Sequence, residues 1–471
     1  MRKWKQIGFI LTLVVILVIG YKLRLHDYSK IPFPGESTDE YSNSWVGLSL
    51  IEFGMPVGIS DLSGYNNDYY RYVNVDRIHQ SVVSFGPLSL HRPWFDHPPT
   101  MGLFTGGFAY LKGARVFEDT TTSTIRKPMI LLGTFSILLV SALAFLVAGP
   151  WVSILSGIIY ATSPILVINS RMIQAENGYL PLFLLTLICL LLFEKQKKEY
   201  WLWLAGMFSA LCITVKIPGG VAALSGIILL MTQNKKYCIH KIKESILFAA
   251  ISILGFFAFV VYGVAFDLGT FFNILLNNSG RIYGIGYNAI NDLIIYTKIT
   301  AQKALTDGWP LFGFLSLWIL KAEKKTYYYR YLFLPFFIFL VVYLLVGSQP
   351  YGWYKIPFFP FLYISLSLLV VDAFRNKDNA LAAVFGLLIP IGVNLQKILD
   401  IGYSHFFVSL WKGGILMLAI VFLSSIIIHR KNYGGWELIS KVILLLLIAL
   451  AIYTNLQYNN LITVDYWYKS S

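Results

Sequence analysis

The chain has 471 residues, and 56% of them are hydrophobic, 16% aromatic and 13% charged. Soluble domains carry roughly 25% charge, so a soluble fold is excluded and an all-α polytopic membrane protein is expected. The formal net charge of +14 would point to nucleic acid in a soluble protein, but here basic residues gathered on cytoplasmic loops account for it.

The chain opens with Arg2, Lys3 and Lys5 before an apolar run, Ile7–Tyr21, that ends in Tyr-Lys-Leu-Arg-Leu. It lacks the small-residue cleavage site of a signal peptide, so it reads as a retained first helix. A bilayer core of ~30 Å needs roughly 20 apolar residues per helix. About thirteen spans are expected, near 7–22, 129–148, 151–169, 179–194, 201–215, 218–232, 246–266, 309–320, 331–347, 356–372, 380–396, 406–428 and 438–457. Basic residues then fall on alternate connections: Lys195/Lys197/Lys198, Lys235/Lys236/Lys241/Lys243, Lys321/Lys324/Lys325/Arg330, Arg375/Lys377 and Arg430/Lys431. That alternation places the N-terminus in the cytoplasm and the C-terminus outside. Cys189 and Cys212 lie in spans and Cys238 in a cytoplasmic loop, so neither a disulfide nor a Cys-x-x-Cys metal site is expected.

Two outer connections are long, 23–128 and 267–308, and both are rich in Tyr, Phe, Ile and Leu. In the first, Tyr41, Trp45 and Leu48 share one helical face, as do Met101, Phe104, Phe108 and Leu111. This spacing predicts two short amphipathic helices on the membrane surface, roofing a cavity. The whole chain reads as one membrane domain, 1–471, with no separate soluble domain after the last span.

Five polar groups fall on the outer side under this topology. Asp39-Glu40 follows Ser37-Thr38 and could cap a helix or act as a base. His97 lies between Asp96 and the helix-starting Pro98-Pro99. Ser170-Arg171 with Glu176 occupies a short outer loop, where the two charges could simply pair or snorkel. Lys216 precedes Ile217-Pro218-Gly219-Gly220, and Tyr354-Lys355 precedes Pro357 and Pro360. Outward lysines work against the positive-inside bias, although snorkelling lowers that cost. Together the groups put acids and cations at one membrane face, as transfer of a group from a lipid phosphate requires.

In this order the motifs resemble those of the membrane glycosyltransferases with a GT-C fold, in particular the protein O-mannosyltransferases and the lipid A aminoarabinose transferase. The matching residues are Asp39-Glu40, His97-Pro98-Pro99, Ser170-Arg171 with Glu176, Lys216, and Tyr354 through Pro360. Glu176 stands where aspartate is common in that family, and the interval from Asp39 to His97 is long. The resemblance implies inverting transfer of a hexosyl or pentosyl group from a polyprenyl-phosphate sugar to a hydroxyl of a protein, lipid or glycopolymer. In it Asp39 would be the base, with Glu40 and Glu176 the neighbouring acids of the catalytic set. Arg171, Lys216 and Lys355 would bind the donor phosphate, while His97 and Tyr354 would position substrate. No cofactor or metal is demanded, though a cation between Asp39 and Glu176 is conceivable. The setting implied is a bacterial or archaeal plasma membrane. The rival reading is a transporter or flippase for a lipid-linked or anionic solute, which would want its charges near the bilayer midplane; an envelope polymer ligase using the same donor class is a second.

Reporter fusions after Lys198 and Lys243 are expected to read cytoplasmic and one after Ser471 external. A cytoplasmic signal from the last would remove the alternation on which the topology rests.

Overall fold

The computed structural model describes residues 3–37, 39–65, 68–78, 81–234, 238–280, 288–295, 297–300, 303–322, 327–346, 352–375, 378–399, 409, 413–414 and 435–469. Eight of its helices are long and apolar enough to cross a bilayer: Trp4–Leu25, Thr122–Ala148, Ala175–Gln196, Cys238–Phe266, Tyr327–Leu344, Gly352–Ala373, Asn379–Leu399 and Ser440–Leu461. Four shorter apolar helices, Pro150–Thr162, Glu199–Val215, Ile217–Met231 and Trp309–Lys321, fall where further spans are expected. The span expected at 406–428 lies almost wholly outside the described residues.

In chain order the helices are α1 (Lys3–Leu25), α2 (Asp39–Phe53), α3 (Thr100–Leu111), α4 (Thr122–Ile125), α5 (Lys127–Ala148), α6 (Pro150–Thr162), α7 (Pro164–Asn169), α8 (Ala175–Gln196), α9 (Glu199–Val215) and α10 (Val221–Met231). They continue with α11 (Cys238–Phe266), α12 (Leu268–Ser279), α13 (Asn288–Ile294), α14 (Trp309–Ala322), α15 (Arg330–Val346), α16 (Phe359–Ala373), α17 (Asp378–Leu399), α18 (Gly435–Leu461) and α19 (Val464–Lys469). The tight reversal between α5 and α6 rests on Gly149, whose φ of 93° suits a residue without Cβ, and on Pro150, which opens the next helix.

Two faces emerge from the side-chain contacts. On one, Arg330 donates to Glu194 Oε2 (2.5 Å) and to the Leu229 carbonyl, and Lys195 lies over the Tyr328 ring. Three of the connections expected in the cytoplasm therefore meet at one end of the bundle. The long connections and the expected site motifs meet at the other.

The two predicted surface helices are present as α2 and α3. Tyr41, Trp45 and Leu48 are fully buried, as their spacing predicts. On α3 the expectation needs correction: Met101 is buried, but Phe104 is 44% and Leu111 82% exposed. The packed face of α3 is instead Met101, Gly102, Thr105, Gly106 and Ala109. A Cβ on Gly47 would overlap the Gly102 carbonyl, and one on Gly106 would overlap Ser44 O and Leu48 N. The helices cross through backbone contact, which a Gly-x-x-x-Gly face permits and a bulky face does not. α2 is buried almost throughout from Glu40 to Ser49, so it is a wall of the fold and does not float on the surface.

A second feature departs from the all-helical expectation. The first connection carries a small antiparallel sheet of β1 (Gly58–Ile59), β2 (Asp68–Ile78) and β3 (Ser81–His91), in the order β1-β3-β2. Gly58 pairs with His91 and Asp68 with His91 on the opposite edge. Beside it, α12 of the second connection seats Phe271 and Ile274 on Leu62, Phe95 and Phe259. Asn278 donates to Asp96 O (2.8 Å) and Asn277 to Ser63 O (2.6 Å), so the two long connections form one layer.

Replacing Gly106 by Leu is expected to destabilise the protein by about 1–3 kcal/mol or more, because backbone would have to give way to the new side chain. Thermal unfolding in detergent reads this. An unchanged midpoint would mean that α2 and α3 are not in backbone contact.

Candidate active site

The site begins with how the chain around Asp39 is held. Glu40, one residue on, is fully buried and receives Arg126 on both oxygens, Nε on Oε1 at 2.9 Å and Nη2 on Oε2 at 2.6 Å. The Ile173 amide donates to the same Oε1 at 3.0 Å. Arg126 spends its Nη1 on the carbonyls of Tyr28 and Pro32 (2.9 and 2.8 Å). Gln174 Nε2 donates to Ser37 Oγ at 2.6 Å. Residues 28–37 and Asp39-Glu40 are thus fastened to the start of α5 and to the loop before α8.

That loop carries Arg171 and Glu176. Arg171 is buried and donates to Leu23 O (2.8 Å) and Ile31 O (3.3 Å). Burial, then the nearby guanidiniums of Arg126 and Arg24, push its pKa down to about 9. The first of these bonds caps the end of α1, where unpaired carbonyls attract cations, and the second holds the loop that follows it. Arg171 therefore supports the face from beneath, whereas its expected role is to meet a phosphate.

Glu176 lies in the first turn of α8, where the helix dipole favours a carboxylate. Its Oε1 accepts from Lys216 Nζ at 2.7 Å, and its buried Oε2 has no hydrogen-bond partner among the described residues. Lys216 sits at the break between α9 and the 3-10 turn Ile217–Gly220, with an extended backbone. Its side chain is 7% exposed, and its ammonium lies 4.6 Å from the centre of the Tyr354 ring. Burial alone would lower this lysine's pKa, but Glu176, Tyr354 and Asp39 outweigh it and hold the pKa above the ordinary value. Asp39 is thus close enough to act electrostatically on Lys216.

Tyr354 belongs to the 3-10 segment Gly352–Phe358. The segment lies against the backbone of residues 298–299, where a Cβ on Gly352 would overlap Lys298 O. The next residue, Lys355, faces another partner: its fully buried ammonium donates to Asp292 O at 3.0 Å and lies 3.9 Å from Asp292 Oδ2. His97 is partly exposed and meets the edge of Trp94, centroids 5.9 Å apart. Trp94 donates to Ile59 O, and Ser42, one turn after Asp39 on α2, donates to the same carbonyl. Asp96 is occupied by Ser60 and Tyr65, at 2.8 and 2.6 Å.

The structure therefore brings Glu176, Lys216 and Tyr354 together, with Asp39 within electrostatic range of Lys216 and His97 on the neighbouring loop. It gives Glu40, Arg171 and Lys355 protein partners of their own. Arg126 and Arg24, not singled out from the sequence, were detectable by the signal that marks Lys216: basic residues on the outer side of spans. Among the described residues, no three or more His, Cys, Asp or Glu side chains gather as a metal ion would need.

Comparisons with known proteins bear on the fold. Residues 96–262 match the family described as dolichyl-phosphate-mannose-protein mannosyltransferase. No curated protein matches the chain in sequence. Among solved structures, ArnT from Cupriavidus metallidurans in the apo state is 13% identical with a TM-score of 0.53, covering 97% of this chain and 78% of that one. The same protein bound to undecaprenyl phosphate is 13% identical with a TM-score of 0.56, covering 98% and 78%. The chain has the GT-C membrane fold.

Glu40→Gln is expected to cost about 3–5 kcal/mol, since it leaves Arg126 buried without its counter-charge. Asp39→Asn should change stability by less than about 1 kcal/mol, the helix-end charge term alone. Thermal midpoints of the two variants measure the difference, and equal midpoints would remove Glu40 from its structural role.

Proposed function

We propose that the chain is a glycosyltransferase that moves a hexosyl or pentosyl group from a polyprenyl-phosphate donor to an acceptor hydroxyl at the outer membrane face. The observation that carries this reading is the contact of Glu176, Lys216 and Tyr354, with Asp39 in electrostatic range, at the span ends of a GT-C fold. The undecaprenyl phosphate held by the similar ArnT structure and the dolichyl-phosphate donor named in the matching family support the donor class.

In the proposed reaction the acceptor oxygen attacks the anomeric carbon from the side opposite the phosphate. Asp39 takes the hydroxyl proton, the bond from the anomeric carbon to the phosphate oxygen breaks, and its electron pair stays on the phosphate. Configuration therefore inverts. Lys216 receives the developing negative charge, and Tyr354 fixes the ammonium by offering its ring face. Glu176 holds Lys216 when no phosphate is bound, and His97 orients the substrate from the neighbouring loop. The second cation is Lys355, once phosphate competes with Asp292. A transporter would use the same charge types, but at midplane depth. Here Glu176 and Lys216 stand at helix ends.

Purified protein offered a panel of polyprenyl-phosphate sugars should transfer from at least one. Asp39→Asn should lower turnover at least about a hundredfold, within the usual range for general-base help, while donor binding and melting stay near wild type. Lys216→Met should weaken donor binding. Normal turnover in Asp39→Asn would remove the base from this position, and silence of the wild type toward the whole panel would overturn the reading.

A further inference from the structure

The proposed base lies three residues after Glu36 and one before Glu40, the residue that Arg126 holds. Glu36 is held from an unexpected direction. Trp467, in α19 beyond the last described span, donates its indole N–H to both Glu36 oxygens, at 3.0 and 3.1 Å. Lys303, from the second outer connection, lies 3.6 Å from Glu36 Oε1 and donates to the Trp467 carbonyl. The same ammonium stands over two ring faces, 5.1 Å from the centre of Phe33 and 4.9 Å from that of Trp467. Phe33 in turn meets Tyr468, with ring centres 6.3 Å apart.

Two segments distant in sequence thus converge on residues 33–36. Anchoring a six-residue helix to the membrane would require only that its aromatic residues sit in the interface. It would not require Trp467 to be 2% exposed with its single donor on a carboxylate. Nor would it require Lys303 to be buried with that carboxylate as its counter-charge. The Glu36 amide closes a turn onto Phe33 O (3.1 Å), and Glu40 N closes the next onto Ser37 O (3.3 Å). Glu36 thus closes one tight turn, and Asp39 precedes the amide that closes the next, so the clamped residue and the base lie in one short stretch. The other end of this stretch is fixed by Glu40 and Arg126, so Asp39 is set between two anchors.

We propose that Trp467 and Lys303 are positioning residues for the active site: they clamp Glu36 and thereby fix the carboxylate of Asp39 against the acceptor hydroxyl. This rests on the glycosyltransferase reading of the site. A base displaced by about 1 Å can cost on the order of a hundredfold in rate, which sets the size of the effect to look for.

The test is Trp467→Phe in the full-length protein, which keeps a ring under Lys303 but removes the N–H to Glu36, with Lys303→Met and Lys303→Arg beside it. Trp467→Phe and Lys303→Met should each lower kcat at least tenfold, with donor binding and thermal midpoint unchanged, and Lys303→Arg should keep most of the rate. Hydrogen exchange at the amides of residues 33–40 should be faster in Trp467→Phe than in wild type. Faster exchange with an unchanged kcat would overturn the positioning role, as would unchanged exchange, or a loss of donor binding and melting temperature in step with kcat. If the wild type transfers no sugar at all, the enzyme reading fails, and the exchange result still decides whether the clamp exists.

Discussion

A carboxylate and a guanidinium, both without solvent exposure, meet where the first outer connection touches the start of α5. Burying such a pair is costly, and the cost is offset only when geometry is good and the remaining donors and acceptors are used. Glu40 and Arg126 meet that condition. The contact is bidentate, the Ile173 amide adds a donor to the carboxylate, and the carbonyls of Tyr28 and Pro32 take the last guanidinium nitrogen. One pair therefore joins α2, α5, the loop before α8 and the end of the segment leaving α1. Asp39 opens one of these pieces, and Glu176 lies in the first turn of the helix that follows another.

The energetic logic is that of a membrane protein. Apolar burial against lipid gives little drive for helix association, so backbone contact and polar links do more of the specification. The α2–α3 crossing uses Gly47, Gly102 and Gly106 for the first. The buried arginines use backbone carbonyls for the second: Arg24 donates to Tyr160 and Ala161 at the end of α6 and to Gly20 in its own helix, and Arg171 to Leu23 at the end of α1 and to Ile31 in the loop beyond. Asp307 plays the acidic counterpart, accepting from Ser163 Oγ at 2.5 Å and from the amides of Ile165 and Trp309 at the starts of α7 and α14. Burial raises its pKa to about 6. Charged groups thus seal helix ends around the site before any of them is asked to do chemistry.

Much of this was legible in the sequence because it follows from cost. Apolar length marks a span whatever packs against it. An outward lysine such as Lys216 is conspicuous because it opposes the topological bias, and its ion pair with Glu176 joins two of the marked motifs. What was not legible depends on partners distant in the chain. Arg171 and Lys355 carry the same signal as Lys216, yet their groups are directed by the Leu23 and Ile31 carbonyls and by Asp292, which no local pattern reveals. The stripe on α3 misleads for a related reason. At a helix–helix contact in lipid the small residues pack and the large ones face outward, the reverse of a soluble amphipathic helix. The β2–β3 hairpin lies in a region read for helical spacing, although Val73-Asn74-Val75-Asp76 alternates with the period of a strand.

Charge balance links the resting site to its proposed reaction. Lys216 faces two carboxylates, Glu176 in contact and Asp39 at longer range, so the set is already negative without a ligand. A donor phosphate adds more negative charge, and it can bind there only if further positive charge is near or if Lys216 exchanges one acid for the phosphate. In the proposed reaction each route has a residue to serve it. Glu176 has a second oxygen with no described partner, and its place at the N-terminus of α8 lets the helix carry part of its charge once Lys216 swings away. Lys355, one residue from Tyr354, has only a 3.9 Å contact to the Asp292 carboxylate, a counter-charge that a phosphate can replace. Tyr354 lies between the two ammonium groups in sequence and under one of them in space. The same short 3-10 segment therefore carries one of the two proposed phosphate-binding cations and the ring that the other lies over.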